Sequence, residues 1–591
     1  MTSRARLIAR LRGSTDSAPV VAAVAGTALP VVLDLLVSGS RRAFAYLAAD
    51  AFYYLEVAKN TAEHGRVSFD GTRPTNGFHP LWQLCEAALW RGCQFVGLSE
   101  ARVLVVVVLV GVFLLSGAVV LFARALRHVY GRVPVSFAFV PVGLYAALLL
   151  PLWVTTGYLG NGDNPVEGPM PLYGTLWSYA NGMETPLVIA IYALIVVVFV
   201  KATSLGRRTT LAMGGLLSLV ALARLDLVML AVAYCFVVLA IAGAIRSRAL
   251  ARHVCWVGLC VMGTLGAYVV INRAYSGTWL PISGTLKSRF PHPIGSNLRG
   301  LTGLFNGRDQ FYSRSRLYRV GPNLIGGGVA ITWLIARVPS LRRRSRNRSL
   351  DLDEPGTRYD VVLASTALSV LLVGAYDVLF VPEGQQGHWY WPVTTVFVSL
   401  AGLDLWQRRA RTRAAAVPGR RSVAVSAVIA LLGLAVFMSL GHPSQYHDRY
   451  ADFFFTGATD VKAFYAGRTE PRLLAVDDGI DAFSLGYPSM SGSGLVLDAD
   501  AVDAWRSGHL VKLALARGFD RISSVAYLDA TNLTPTTPAD EVRARVASIL
   551  PNEDLSGLRF TVEYSSMPGT LATHVPNSDG RYVLIRVASA G

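Results

Sequence analysis

Cysteine is scarce in this chain. There are five in 591 residues, and none after Cys260. No disulfide framework therefore supports the C-terminal part. Cys85 and Cys93 stand eight positions apart in one expected helix, too far along its axis to be bridged. Charge is scarce too, at 16% of residues, against about 25% in an ordinary soluble domain. No phosphate-cradling glycine loop, no paired Cys/His spacing and no nucleophile elbow is present, which leaves P-loop, zinc and serine-hydrolase chemistry without a footing. Acid is scarcer than base, 38 residues against 55, for a net charge of +17. Such an excess would suit nucleic acid. It sits, however, in short turns between apolar runs, where it sets topology instead, so nucleic acid is not an expected partner.

What the chain has is apolar surface: 52% of residues, with a mean hydropathy of +0.42. Apolar runs lie near 18–38, 101–123, 134–155, 186–203, 209–223, 227–245, 254–272, 322–338, 359–380, 390–406 and 422–440. Each approaches the length that crosses about 30 Å of hydrocarbon. The expected fold is a polytopic α-helical membrane protein of about eleven spanning helices. Arg4, Arg6, Arg10 and Arg12 precede the first run. A cleaved signal peptide is the alternative there, with a weak Ala-x-Ala match at 43–45. With the N-terminus cytoplasmic, the turns on that side are basic: Arg124, Arg127 and Arg132; Lys201, Arg207 and Arg208; Arg246, Arg248 and Arg252; Arg342 to Arg348; Arg408 to Arg421. The segment 80–97 is apolar but holds Glu86 and Arg91, and counting it as a span would invert the alternation. It reads as a helix lying at the interface.

Residues 1–440 thus form a membrane domain with long outer loops at 39–100 and 273–321, and 441–591 lies outside. The tail has strand-like runs at 472–476, 559–564 and 582–587 and a helical stretch near 500–517, the pattern of a small α/β domain. The expected location is the inner or plasma membrane, multi-pass, with the C-terminal domain extracytoplasmic.

The outer loops carry the unusual residues. Phe52, Leu55 and Ala58 recur at helical spacing after Asp50. An Asp at that position also fits a helix cap. Gly71 and Asn76-Gly77 mark turns. The second loop holds Arg273, Lys287, Arg289, Arg299, Arg308, Arg314, Arg316 and Arg319 against a single acid, Asp309. Such a segment is either a solvated face or a phosphate clamp. Arg224 and Asp226 interrupt an apolar stretch, where they either pair with each other or shape a pocket. His388 and Tyr390 sit in an aromatic cluster of the kind found in interface belts.

Asp50 followed by aromatics and a helix, then Pro74-Thr75-Asn76-Gly77-Phe78-His79-Pro80-Leu81-Trp82, resembles the first periplasmic loop of the GT-C superfamily of polyprenyl-phosphate-sugar-dependent membrane glycosyltransferases. The look is closest to bacterial, especially actinobacterial, arabinofuranosyl- and mannosyltransferase members. Asn181-Gly182-Met183-Glu184-Thr185, Ala223-Arg224-Leu225-Asp226 and the stretch from Leu280 to Lys287 resemble further segments of these proteins, in the expected order. Ala49 stands where many members have a second acid before Asp50. The resemblance implies Asp50 as general base and Lys287, Arg289 and Arg224 as donor-phosphate contacts. It implies Tyr53, Tyr54, Asn76, His79, Glu184, Asp226, His388 and Tyr390 as substrate contacts. The implied partners are a lipid-linked sugar donor, membrane lipids, and a glycan, lipid or protein acceptor in the cell envelope. No cofactor is expected, and a divalent metal, though open, is not indicated. The rival readings are a secondary transporter, which would be expected to show internal repeats and midplane polar sites, and a non-catalytic membrane scaffold.

Overall fold

The computed structural model describes residues 3–156, 174–295, 310–346, 352, 354–382, 390–411, 424–429, 431–432, 451–476, 479–525, 533–570 and 581–590. Helices dominate up to residue 411. They are α1 (Ser3–Tyr46), α2 (Ala49–His64), α3 (Pro80–Phe95), α4 (Glu100–Tyr130), α5 (Leu144–Thr156), α6 (Thr185–Lys201) and α7 (Arg207–Ala223). They continue with α8 (Val228–Ala244), α9 (Arg248–Ser276), α10 (Ile282–Lys287), α11 (Gln310–Arg346), α12 (Pro355–Phe380) and α13 (Pro392–Arg411).

This is a polytopic membrane protein. Among the described residues six helices are long and apolar enough to cross a bilayer: Ser17–Tyr46, Glu100–Tyr130, Leu225–Ala244, Arg248–Ser276, Gly321–Leu341 and Pro355–Phe380. The remaining expected spans are shorter. The run 134–155 becomes a 3₁₀ turn, Val135–Phe139, and a 13-residue helix. α6 and α7 have 17 residues each, a rise of about 25 Å. Most of the run 422–440 lies outside the described residues. Helix α9 leaves Trp256, Leu259, Met262 and Ile271 mostly exposed, as an apolar face bathed in lipid must.

The helix ends sort into two sets. The ends that carry the basic turns meet in a buried charge network. Arg337 and Arg408 each donate to Asp360 at 2.6 Å. Arg408 also donates to Asp404 at 2.7 Å, and so do Tyr130 at 2.6 Å and Trp333 at 3.1 Å. Four helices, α4, α11, α12 and α13, are joined by one charge network. The candidate site lies at the opposite ends.

The C-terminal part carries α14 (Ala458–Tyr465), β1 (Leu473–Ala475), α15 (Gly479–Leu485), β2 (Ser489–Ser491), α16 (Ala499–Arg506), α17 (Leu510–Ala516), β3 (Arg521–Ser523), α18 (Ala539–Ile549), β4 (Leu558–Ser565) and β5 (Val583–Ser589). One sheet runs β2-β1-β3-β5-β4. β1 is parallel to β2 and β3, and β5 is antiparallel to β3 and β4. The three expected strand runs are β1, β4 and β5, and the helical stretch near 500–517 is α16 plus α17. The segments SMS and RIS, which form β2 and β3, are too short and polar to show as apolar runs.

This domain is pressed against α2, the segment before α3, and α10 rather than tethered beside them. A Cβ on Gly479 would lie 2.1 Å from the Tyr53 backbone nitrogen, and one on Gly77 only 1.7 Å from the Leu495 carbonyl oxygen. Only glycine permits such backbone approach. Thr75 donates to the Leu497 carbonyl at 2.9 Å. Ile282 is buried in the same apolar core as Leu474, Ile522 and Ile585, and Leu286 packs against it. Helix α10 thus turns one face into the core of the α/β domain.

Candidate active site

Short helix-breaking segments build the site. Arg224 has an extended backbone (φ −155°, ψ 111°) that separates α7 from α8 and lets its side chain leave the helix axis. Gly182 takes a positive φ of 76° where a Cβ would strike Leu47 and Ala51. Asn181 accepts from the backbone of Met183 and from the Thr185 hydroxyl, which fixes the start of α6 and with it Glu184. Asn76 holds the second outer loop. Its amide donates to Asn272, Ser276 and Thr278, and its carbonyl accepts from the backbone of Ile282 at 3.1 Å. That last bond sets the start of α10, which ends in Lys287.

These elements enclose a cavity of about 770 Å³ lined by Asp50, Tyr53, Tyr54, His79, Glu184, Arg224, Asp226, Lys287 and Tyr390. Asp50 lies in the first turn of α2 and makes no capping bond, so the capping role is not what it serves. Its Oδ2 instead accepts from the Lys287 ammonium at 3.1 Å. Arg224 donates to Glu184 at 2.6 Å and lies 3.0 Å from Asp226. Its guanidinium stacks over the Tyr390 ring, 4.6 Å from the centroid. Arg224 and Asp226 both pair with each other and line the cavity, so the two alternatives do not exclude each other, and the fully buried Glu184 shares the pairing. The Tyr53 and Tyr54 rings stack 4.9 Å apart, and Tyr54 accepts from the His79 backbone at 3.0 Å.

His79 accepts from the Leu225 backbone through Nδ1 at 3.4 Å. Its proton then sits on Nε2, 3.8 Å from Glu184. Burial, with the nearby Arg224 charge, pushes its pKa down to about 3, so the ring is a neutral donor at physiological pH. Lys287 experiences the opposite balance. Burial works against its charge, but the Asp50 carboxylate outweighs that and holds the ammonium above its ordinary value.

Asn76 does not line the cavity; it braces the loop that does. Arg289 is exposed and its backbone donates to the Phe380 carbonyl at 2.8 Å, and it too is not among the lining residues. His388 lies outside the described residues. Sequence reasoning missed Asp377, Tyr268, Tyr376 and Arg506, all of which line the cavity. Asp377 carried a usable signal, an acid inside the apolar run 359–380. Arg506 carried none, because nothing local tells which surface arginine of a tail domain faces a distant loop. Among the described residues no three His, Cys, Asp or Glu side chains gather to hold a metal ion.

Part of the lining is apolar: Val228 and Met229 of α8, Leu265 and Val269 of α9 and Val373 of α12. One cavity thus offers charged side chains and hydrocarbon surface together.

No protein-family model matches this chain, and no curated protein matches it. Two solved structures are similar in chain path. ArnT from Cupriavidus metallidurans bound to undecaprenyl phosphate is 16% identical over 95% of this chain and 98% of its own, with a TM-score of 0.40. The apo state of ArnT from the same organism is 14% identical over 94% and 97%, again at 0.40. At these scores the likeness carries no weight for function.

Proposed function

We propose that the cavity is the active site of a membrane glycosyltransferase of the GT-C superfamily, taking a sugar from a polyprenyl-phosphate donor. The acceptor is a glycan, lipid or protein of the cell envelope, reached on the extracytoplasmic side. The observation that carries this reading is the joining of a carboxylate–ammonium pair, Asp50 and Lys287, to apolar lining residues within one cavity. A prenyl chain matches the apolar residues of α8, α9 and α12, and its phosphosugar matches the charged side chains.

In the proposed step the acceptor hydroxyl oxygen bonds to the anomeric carbon while the bond from that carbon to the donor phosphate oxygen breaks. The acceptor proton passes to Asp50 and the electron pair leaves with polyprenyl phosphate. Lys287 holds the Asp50 carboxylate in place until the acceptor arrives, then faces the charge growing on the phosphate. Arg224, clamped by Glu184 and Asp226, presents a fixed positive edge. Neutral His79, the stacked Tyr53–Tyr54 pair and Tyr390 offer hydrogen-bond donors and ring faces to the sugar. Asp50, Glu184, Arg224 and Asp226 sit at helix ends, a placement unlike the midplane sites of secondary transporters.

Purified full-length protein incubated with a cell-envelope extract as acceptor and with decaprenyl-phosphate arabinose, mannose and glucose in turn tests the reading. Conversion of one of them to decaprenyl phosphate, followed by mass spectrometry, is the expected result. Failure to turn over any polyprenyl-phosphate sugar while a defined solute is transported would replace it with the transporter reading.

A further inference from the structure

The lining of the cavity holds four acids, Asp50, Glu184, Asp226 and Asp377, and three permanently basic side chains, Arg224, Lys287 and Arg506. Two of the three cations are already engaged by acids of the same wall: Lys287 by Asp50, and Arg224 by Glu184 and Asp226. Arg506 differs in each respect. It comes from the α/β domain rather than the helical bundle, it is solvent-exposed, and no described acid lies within ion-pair distance of it. An anion entering a cavity whose inner cations are neutralised gains most from the cation that is not.

The mount of Arg506 is rigid. It is the last residue of α16, and Trp505 beside it packs on Gly494, where a Cβ would lie 3.0 Å from the indole and 3.1 Å from Leu286 of α10. On its other side Gly508 takes a φ of +71°, and a Cβ there would lie 2.1 Å from the Asn552 carbonyl oxygen. The Gly508 carbonyl accepts from the Asp554 backbone at 2.7 Å. The residue before Arg506 and the helix that carries Lys287 therefore both close on Gly494, and the turn after Arg506 is pinned.

We infer that Arg506 is a ligand-contacting cation, supplied to the cavity by the C-terminal domain, that binds an anionic phosphate-type group on the molecule entering there. The inference rests on the cavity being the substrate site proposed above. The phosphate has two sources: the lipid donor, or a soluble or acceptor-borne anion arriving from the aqueous side. Arginine suits either, because its planar fork takes two phosphate oxygens at once.

The test uses full-length protein in phosphatidylcholine nanodiscs and two probes, decaprenyl phosphate and inorganic pyrophosphate, on the wild type, Arg506→Lys and Arg506→Gln. Arg506→Gln is expected to weaken at least one probe by roughly tenfold, as loss of a charge-assisted bond does. Arg506→Lys should fall between wild type and Arg506→Gln, since the charge is kept but the fork that takes two oxygens is lost. Thermal unfolding should not move, because the side chain is exposed. Weakening of decaprenyl phosphate alone assigns Arg506 to the donor, and weakening of pyrophosphate alone assigns it to the aqueous-side anion. Equal affinity of Arg506→Gln and wild type for both probes overturns the inference. Wild-type protein that ignores decaprenyl phosphate but binds pyrophosphate through Arg506 removes the lipid donor and leaves Arg506 standing. Binding of neither probe overturns both.

Discussion

Asp50 and Lys287 are 237 positions apart in the chain, and their carboxylate and ammonium meet at 3.1 Å. Both are mostly shielded, with side-chain exposures of 20% and 14%. A pair in this setting is stronger than a surface bridge but still partly screened. Removing either partner alone, by Asp50→Ala or Lys287→Met, is expected to destabilise the protein by about 1–3 kcal/mol. The double variant should cost less than the sum of the two. A double-mutant cycle on unfolding free energy checks this, and additive costs would show the pair to be energetically silent.

Gly479 faces the Tyr53 backbone with no room for a side chain. Gly479→Val would force α15 away from α2 and shift Asp50 with it. A loss of about 1–3 kcal/mol in stability is expected from overpacking, with weaker ligand binding in the cavity. Protein with unchanged thermal unfolding and binding would contradict the close contact.

At the opposite helix ends, Asp404 is fully buried and accepts from Tyr130, Trp333 and Arg408. Asp404→Ala leaves Arg408 short of a partner and should cost about 3–5 kcal/mol. Affinity for decaprenyl phosphate, measured below the unfolding temperature, should not change. A variant that folds normally but loses ligand would tie this network to the site instead.

His79 gives a pH dependence with a definite sign. Its pKa is about 3 in the folded protein against an ordinary 6.5. Between those values the unfolded chain binds a proton that the folded chain does not, so stability falls as pH drops from about 6.5 toward 3. His79→Gln should flatten that part of the stability curve. A profile unchanged by the substitution would mean that other groups govern it.

Much of this was legible from residue types. Apolar runs located the long helices because a lipid-facing helix must advertise its length in sequence. The basic turns separated the helix ends into two sets, and Asp50, Glu184, Arg224, Asp226 and Lys287 all fall at the ends opposite those turns. β1, β4 and β5 were visible as apolar runs, whereas β2 and β3 have three residues each and draw their stability from neighbours. The resemblance places Asn76 among the substrate contacts, and its local sequence, a turn signal, does not separate a ligand contact from a brace. Only the fold reveals that its amide bridges two outer loops. Arg289 differs from Lys287 by two positions, and past the end of α10 its neighbours Ser288 and Phe290 line the cavity while Arg289 is exposed. No pattern within the tail could show that Arg506 meets a loop more than two hundred residues earlier in the chain.

The role of Asp50 as proton acceptor is tested most directly by Asp50→Asn. Asparagine keeps the size and a hydrogen-bonding oxygen but cannot take the acceptor proton. With a polyprenyl-phosphate sugar that the wild type turns over, the variant should still bind donor, while release of polyprenyl phosphate with transfer falls by roughly a hundredfold or more. Transfer at the wild-type rate would contradict a carboxylate base at this position.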